Sequence, residues 1–296
     1  MIASPTRPVL RYHGGKWRLA PWIIKHLAPH RIYTEAFGGG ASVLIRKPRS
    51  CSEVYNDLDG EIVSLFRALR DPEIAARLER ALRFTPFARD EFLQAYEDVA
   101  DPVEQSRRTL VKSFMGFGSG SVHDPRPRGM RTRASTWKAP TGFRANATRS
   151  GAAPATDWAR YPDQLQHFVE RLRGVVIENR NAVEVIQQHD RADCLHYVDP
   201  PYPFSTRSSI RGSWEEQRIY RYEMTDDAHR ELARVLHGVE GMVVISGYRC
   251  ELYDVELYPD WRRVERTALA DGARKRTEVL WLNPAAAAHQ NGELFG

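Results

Sequence analysis

The start of the chain alternates short apolar segments with glycine turns and amphipathic helices. Residues 31–37 (RIYTEAF) predict a strand that runs into the turn GGGAS, and VLIRKP then begins a helix that Pro48 ends. Residues 51–57 (CSEVYND) predict a second strand, and the amphipathic segment DGEIVSLFRALR follows it. A Gly14–Gly15 loop and a helix ending at Pro29 precede the first strand. The order of strand, glycine turn, helix and strand is one half of a Rossmann-like sheet.

Strand signals disappear between residues 67 and about 160. Three helical patterns come first, and a Gly-, Ser-, Pro- and Arg-rich stretch with little periodicity follows as far as Asp157. Helices and strands then alternate again. The strands of this last part are VVIEN, CLHYVDPPY, GMVVISGY and RTEVLWLNP, and the tail AAAAHQNGELFG predicts a frayed end.

We therefore predict a mixed α/β protein built on a Rossmann-like sheet. Its catalytic domain is split into residues 1–66 and 160–296, and residues 67–159 form an inserted domain that is mostly helical and loop-rich. A chain of 296 residues is long enough for both parts.

The sequence DPPY at residues 199–202 directly follows an apolar strand. Proline cannot donate to a sheet ladder, and it favours extended geometry in the residue before it. Asp199 is therefore predicted as the last strand residue, with Tyr202 on the loop that leaves the sheet. Open parallel sheets bind ligands at this rim, so the motif is a candidate catalytic site.

The glycine turn and Asp57 predict a nucleoside-binding site. Consecutive glycines let a ligand approach the backbone, and an acid at the end of the next strand is placed to hold ribose hydroxyls. FGGGA lacks the G-x-G-x-x-G spacing of dinucleotide sites, and YHGGKW has Trp17 where a phosphate loop needs Ser or Thr. A nucleoside without phosphates fits better, and S-adenosylmethionine is the common one.

The DPPY motif suits methyl transfer to an exocyclic amine. The lone pair of such an amine is delocalised into the ring, and two acceptors aimed at its N–H groups draw electron density back onto nitrogen. The Asp199 carboxylate and the Pro200 carbonyl are the two candidate acceptors. Tyr202 offers a flat face for the base, a contact worth ~1–3 kcal/mol. No metal is required, since positioning supplies most of the catalysis.

Four segments together resemble the Dam-like DNA N6-adenine methyltransferases. They are RYHGGKWRL, TEAFGGGAS, YNDLD and VDPPY, in the order found in that family, with RTEVLWLNP near the end. The resemblance implies an adenine flipped out of duplex DNA as substrate, with residues 67–159 as a target-recognition domain. It implies cofactor contacts from Tyr12, Lys16, Glu35, Phe37, Gly38, Gly39, Asp57 and Asp199, and catalysis by Asp199, Pro200, Pro201 and Tyr202. Ala41 departs from the family's F-x-G-x-G, and we expect tighter packing there without loss of binding.

Basic charge concentrates in the insertion. The chain has a net charge of +5 and a pI of about 9.1, whereas residues 107–149 carry ten Lys or Arg against the single acid Asp124. Charge alone leaves a solvated loop as the alternative to a binding surface. Phe117 and Trp137 are candidate wedges for the gap left by a flipped base. We predict double-stranded DNA as the partner, held by Arg126, Arg128, Arg131, Arg133, Lys138 and Arg144.

A second arginine cluster follows DPPY. It consists of Arg207, Arg211, Arg218 and Arg221. These side chains are predicted either to bind phosphates beside the flipped nucleotide or to form surface pairs with Glu215 and Glu216.

Cysteine usage and hydropathy indicate a cytoplasmic protein. Cys51, Cys194 and Cys250 are far apart and have no CxxC spacing, which argues against disulfides and cysteine zinc sites. The sequence shows no signal pattern, and no apolar run approaches the roughly 20 residues of a membrane span. A cognate restriction endonuclease is a candidate partner, and the sequence leaves the oligomeric state open.

The hypothesis is therefore a site-specific DNA adenine methyltransferase that depends on S-adenosylmethionine. Methylation of cytosine N4 or of RNA adenine is an alternative with the same chemistry, and Asp rather than Ser or Asn at position 199 favours DNA adenine. A non-catalytic DNA-binding protein that keeps the fold is an alternative of another class. The intact DPPY motif and Asp57 argue against it.

Overall fold

A single sheet forms the centre of the protein. The computed structural model describes residues 5–118, 120–122, 142–145, 153–206, 220–269 and 275–292. The strands in this part of the chain are β1 (Ile32–Glu35), β2 (Ser52–Asn56), β3 (Val176–Glu178), β4 (Cys194–Val198), β5 (Met242–Tyr248), β6 (Arg262–Leu269) and β7 (Lys275–Leu282). Their order in the sheet is β3-β2-β1-β4-β5-β7-β6. Strands β1 to β5 are parallel and β7 is antiparallel to both of its neighbours, which confirms the predicted mixed α/β architecture.

Helices connect and cover the strands. The α-helices of the described residues are α1 (Ala20–Ile24), α2 (Ser42–Arg46), α3 (Gly60–Arg70), α4 (Pro72–Arg83), α5 (Arg89–Gln94), α6 (Pro102–Met115), α7 (Pro154–Ala159), α8 (Leu165–Leu172), α9 (Ala182–His189), α10 (Asp226–Gly238) and α11 (Pro284–Gly292). A π-helix covers Leu252–Leu257. Asp59, Asp71 and Asp101 begin α3, α4 and α6 as N-caps that accept backbone N–H bonds. Within the described part of the chain, no helix has both the length and the apolarity to cross a membrane.

Apolar layers cover both faces of the sheet, which explains why its central strands are almost continuously apolar. Alternate residues of a strand point to opposite faces. Tyr197 and Val244 accordingly lie in one buried cluster, with α3, α4, α6 and α8, whereas Val198 and Val243 lie in another, with α9, α10 and the π-helix. The carboxyl ends of β4 and β5 are thus held firmly on both sides.

The helices of the predicted insertion pack on the same core as the sheet. Phe92 of α5 and Leu110 of α6 belong to the buried cluster that contains Tyr33 of β1. The buried Lys112 of α6 donates to Glu61 of α3 at 2.6 Å. The described part of residues 67–159 is therefore continuous with the core of the sheet domain.

Two elements differ from the sequence-based prediction. Strand β6 was missed because most of its residues (RRVERTAL) are polar, as is common in a strand at the edge of a sheet. The tail predicted to be frayed instead forms α11 as far as Gly292. Alanine favours helix strongly, and Asn283 caps this one by accepting from Ala286 N at 2.9 Å and from Val243 N of β5 at 2.9 Å.

A buried ion triad joins α2, β2 and α8. Glu53 accepts from Lys47 Nζ at 2.7 Å and from Arg171 Nη1 at 2.7 Å, and all three side chains are buried. Burial by itself would raise the pKa of Glu53, but the hydrogen bonds and charges of Arg171 and Lys47 outweigh it, so the pKa is lowered. A carboxyl with a lowered pKa stabilises the fold above its unfolded-state pKa, and this contribution is lost as the pH falls through the folded-state value.

Glu53→Gln is therefore expected to destabilise the protein by about 3 kcal/mol at pH 7, because two buried cations lose their anion. Urea unfolding from pH 7 to pH 3 measures this, and the difference from wild type should shrink at acid pH, where Glu53 becomes protonated. Glu170→Gln is the control, since Glu170 lies 4.0 Å from Arg49 at the surface. An equal loss of stability in Glu53→Gln and Glu170→Gln would contradict the role of the triad.

Candidate active site

The carboxyl ends of β1, β2 and β4 open into one cleft. The cleft contains about 890 Å³ of free space, including the part open to solvent. Four segments form most of its wall: the loop at residues 12–16, the glycine turn at 37–40, the acidic turn at 57–59 and residues 220–224. Each residue predicted to contact a cofactor lines it, namely Tyr12, Lys16, Glu35, Phe37, Gly38, Gly39, Asp57 and Asp199, together with Pro200 and Pro201. The structure thus brings predicted site residues from positions 12–57 and from positions 199–201 together in one cleft.

The glycine turn is packed so closely that side chains would not fit. Gly38 N donates to Asn56 O at 2.7 Å, and a Cβ on Gly38 would lie 2.2 Å from Tyr55 Cε2. Gly39 has a φ of +45°, and a Cβ there would lie 2.7 Å from Tyr12 Cε1. A ligand in the cleft therefore meets backbone at this turn.

Ala41 has a left-handed backbone conformation, which explains a glycine at this position of the family pattern. Its φ is +51° and its ψ is +35°, in the left-handed region, and it is fully buried at the start of α2. An L-residue in that region is strained by roughly 1–2 kcal/mol. The prediction of tight packing at Ala41 fits this burial, whereas the backbone strain was not foreseen.

Asp57 links the glycine turn to the acidic turn. Its Oδ2 accepts from Gly39 N at 2.8 Å and its Oδ1 accepts from Asp59 N at 2.8 Å. Burial raises the pKa of Asp57 to about 6, and the like charge of Asp59 adds to this effect. The side chain of Asn179 also donates to Asp57 O at 2.8 Å, which fixes the turn from β3.

Asp199 comes directly after Val198, the last residue of β4, whereas Asp199 itself was predicted to be the last strand residue. Ser246 Oγ donates to Asp199 Oδ1 at 2.7 Å, and Lys16 Nζ lies 3.0 Å from the same oxygen. Tyr197 in turn lies 3.1 Å from Ser246 through their hydroxyl oxygens. Asp199 Oδ2 has no hydrogen-bond partner among the described residues, so it is the oxygen available to a substrate.

Tyr202 lies on the loop that leaves β4, as predicted. The Lys16 ammonium is 4.8 Å from the centroid of its ring, and the ring packs edge to face with Tyr248 at 4.8 Å. Its hydroxyl donates to Glu278 Oε2 at 3.2 Å. Lys16 therefore contacts both the carboxylate and the aromatic ring of the DPPY motif.

Glu35 is a buried carboxyl in the wall of the cleft. It accepts from Tyr33 OH at 2.9 Å and from Leu44 N at 2.8 Å. Burial raises its pKa to about 8, although both hydrogen bonds act in the opposite direction. These two bonds fix Glu35 between β1 and α2.

Sequence reasoning missed the wall at residues 220–224. Arg221 pairs with Asp59 at 3.0 Å and with Glu61 at 2.7 Å, so its charge is used inside the protein and not on phosphates. A Cβ on Gly14 would lie 2.6 Å from the Tyr220 hydroxyl. No local pattern reveals this wall, because its partners Gly14, Asp59 and Glu61 are about 160 or more positions away in the sequence. The other arginines of the second cluster, Arg207, Arg211 and Arg218, and Glu215 and Glu216, lie outside the described residues.

Few residues of the predicted DNA-binding set fall in the described part of the chain. Arg144 is half-buried, and its backbone N donates to Met115 O at 2.7 Å. Phe117 is 70% exposed beside it. Three of the ten basic residues counted from the sequence have internal partners: Arg107 and Arg108 pair with Glu104, and Lys112 pairs with Glu61. The residues outside the described part are Arg126, Arg128, Arg131, Arg133, Trp137 and Lys138.

A comparison with known families bears on this cleft. Residues 12–115 match the family model described as D12 class N6 adenine-specific DNA methyltransferase. The match includes the loop at 12–16, the glycine turn and Asp57, and it confirms the resemblance to the Dam-like family seen in the sequence. No curated protein matches the chain. The DPPY motif lies beyond the matched residues.

Gly38→Ala is expected to destabilise the protein by ~1–3 kcal/mol, since the new methyl group overlaps the Tyr55 ring. Gly40→Ala is the matched control, because a Cβ there meets Tyr12 Cβ at an ordinary 3.4 Å. Denaturant unfolding of both variants measures the difference. Equal stability of the two variants would contradict the described packing of the turn.

Proposed function

From this family relationship and the cleft we infer that the chain is a site-specific DNA adenine methyltransferase. The proposed reaction transfers a methyl group from S-adenosylmethionine to the N6 amine of an adenine flipped out of duplex DNA. One observation carries the proposal: Lys16 of the family-matched part lies 3.0 Å from Asp199 of the DPPY motif. The proposed nucleoside site and the proposed amine-binding site thereby meet in one cleft.

The residues present fit the proposed cofactor. The close packing at Gly38 and Gly39 offers backbone in place of side chains, and Asp57 offers a carboxylate for ribose hydroxyls. Tyr12, Lys16, Glu35 and Phe37 complete the wall that would hold it. When bound, S-adenosylmethionine supplies an electrophilic methyl group on its sulfonium.

Asp199 and Pro200 are proposed to hold the target amine. Both described contacts of the Asp199 carboxylate converge on Oδ1, which leaves Oδ2 for an N–H of the substrate. Within the described chain, no backbone hydrogen bond ends on the Pro200 carbonyl, which would accept the second N–H. Two fixed acceptors keep the nitrogen lone pair on nitrogen and aim it. Asp199 is also the nearest base for the proton that the methylated amine releases.

Tyr202 is proposed to stack on the flipped adenine. Lys16 lies over the ring of Tyr202, with its ammonium 4.8 Å from the ring centroid. The duplex loses a few kcal/mol when the base leaves the stack, and a stacking contact of ~1–3 kcal/mol offsets part of this. Pro200 and Pro201 keep the loop stiff, so the ring and the Asp199 carboxylate stay in a fixed relation.

Residues 67–159 are proposed to recognise the DNA target. Arg126, Arg128, Arg131, Arg133, Lys138 and Arg144 would bind phosphates and base edges. Phe117 supports this assignment, since a large exposed apolar side chain next to a basic segment suits the gap left by a flipped base. Helices α4 to α6 would then connect the recognition segment rigidly to the catalytic cleft.

Asp199→Ala is expected to lower methyl transfer by at least ~100-fold, because an acceptor aimed at the reacting amine is lost. Transfer of tritium from labelled S-adenosylmethionine to duplex DNA measures this, and digestion to nucleosides identifies the modified base. Asp193→Ala is the control, since Asp193 is half-buried at the opposite end of β4, far from the cleft. An Asp199→Ala enzyme that methylates at the wild-type rate would refute the mechanism.

Cofactor affinity is expected to fall as the pH drops through about 6. The raised pKa of Asp57 means that its carboxylate is ionised only above that value, and the ionised form is the better acceptor for ribose hydroxyls. Calorimetric titration with S-adenosylmethionine from pH 8 to pH 5 should show up to about tenfold weaker binding per pH unit below 6. Asp57→Asn should bind weakly at every pH, with a flat profile. A wild-type profile as flat as that of the variant would contradict the assignment.

A further inference from the structure

Strand β7 borders the catalytic loop in a way that the proposed mechanism does not use. Because β7 is antiparallel to β5, its first residues lie at the carboxyl end of the parallel strands, where the loop leaves β4. Glu278 is directly opposite Tyr248 in the β5–β7 register. Arg276 and Glu278 are two residues apart on this strand and therefore project from the same face of the sheet.

Glu278 contacts both tyrosines of this region. It is buried, and its Oε2 accepts from Tyr202 OH at 3.2 Å. Tyr248 pairs with Glu278 in the strand register, and the Tyr248 ring packs edge to face with Tyr202. A buried carboxylate needs such donors, because each unsatisfied oxygen would be destabilising. One side chain of β7 thus holds the hydroxyl end of the Tyr202 ring.

Arg276 holds the other end of the same loop. Its guanidinium lies 5.0 Å from the centroid of the Tyr248 ring, and its Nη1 donates to Thr206 O at 3.0 Å. Thr206 N donates to Pro203 O at 3.0 Å, which makes a short turn directly after DPPY. The loop is therefore fixed at Tyr202 by Glu278 and four residues later by Arg276.

We propose that Glu278, supported by Arg276, is a positioning residue that fixes the ring of Tyr202 in the orientation in which it receives the target base. This inference rests on the proposed function. Prolines stiffen the backbone of the loop, but they leave the side-chain torsions of Tyr202 free. Binding immobilises a free side chain at an entropic cost, and a ring that is already oriented avoids that loss.

Burial of Glu278 fits a role in positioning a neighbouring side chain and not a role in contact with solvent. It raises the pKa of Glu278, with Lys16 acting against this and Asp199 adding to it. A carboxyl in such a site is sensitive to the loss of its hydrogen-bond donor Tyr202. The position of Tyr202 and the hydrogen bonding of Glu278 are therefore coupled.

Glu278→Ala is expected to lower kcat/KM for DNA methylation about tenfold or more, while the Kd for S-adenosylmethionine stays within about twofold of wild type. Glu278→Gln should recover most of the activity, since the amide oxygen can still accept from Tyr202. Glu265→Gln is the matched control, because Glu265 is exposed on β6 and contacts only Arg249 at 3.8 Å among the described residues. It should behave as wild type.

A second measurement does not depend on turnover. With 3-fluorotyrosine at position 202, ¹⁹F NMR should show one sharp resonance in the wild-type protein and in Glu265→Gln. Glu278→Ala should broaden or split it, and Glu278→Gln should restore it. This readout reports the orientation of the ring itself.

The outcomes separate the inference from the proposed function. A Glu278→Ala protein with wild-type kcat/KM and an unchanged fluorine resonance would overturn the inference. So would a parallel loss of activity, cofactor affinity and thermal stability with a sharp resonance, since that result identifies a purely structural residue. A wild-type protein that transfers no methyl group would instead refute the proposed function, and the fluorine spectra would still decide the inference.

Discussion

The contact between Lys16 and Asp199 is the interaction on which the described cleft depends. Lys16 precedes β1 and Asp199 follows β4, and their 3.0 Å contact joins the segments beside these two neighbouring strands. Lys16 is only 5% exposed, and a buried ammonium must be paired. Its partners are Asp199, the Gly14 carbonyl and the Tyr202 ring. The Asp199 carboxylate that pairs with the buried Lys16 ammonium therefore also holds the proposed catalytic loop against the proposed cofactor loop.

Two kinds of buried carboxyl with different pKa shifts occur among the described residues. Glu53 has two cationic partners and a lowered pKa, and it joins elements far from the cleft. Asp57, Glu35 and Glu278 have raised pKa values because burial dominates, and all three lie at or beside the carboxyl end of the sheet. Carboxyls with pKa values shifted by burial often cluster at functional sites. This distribution supports the cleft as the functional centre on grounds independent of sequence motifs.

The sequence predicts the parts of the site that arise from local rules. The glycine turn, Asp57 and the DPPY motif each follow an apolar strand, and parallel strands bring their carboxyl ends to one edge. The observed partners of Arg221, Ser246 and Glu278 were not predicted, because these partners are distant in sequence and depend on strand order. Arg221 is instructive, since the sequence left phosphate binding and surface pairs with Glu215 and Glu216 open, whereas the fold pairs it with Asp59 and Glu61. Charge composition does not distinguish an internal partner from an external one, and only packing does so.

The most direct test of the account is long-read sequencing of DNA from a methylation-deficient host that expresses this protein. The account predicts N6-methyladenine within one short sequence motif, and none in a host that expresses Asp199→Ala. Unmodified DNA in the presence of folded wild-type protein that binds S-adenosylmethionine would contradict it, as would a methyl group found only on cytosine.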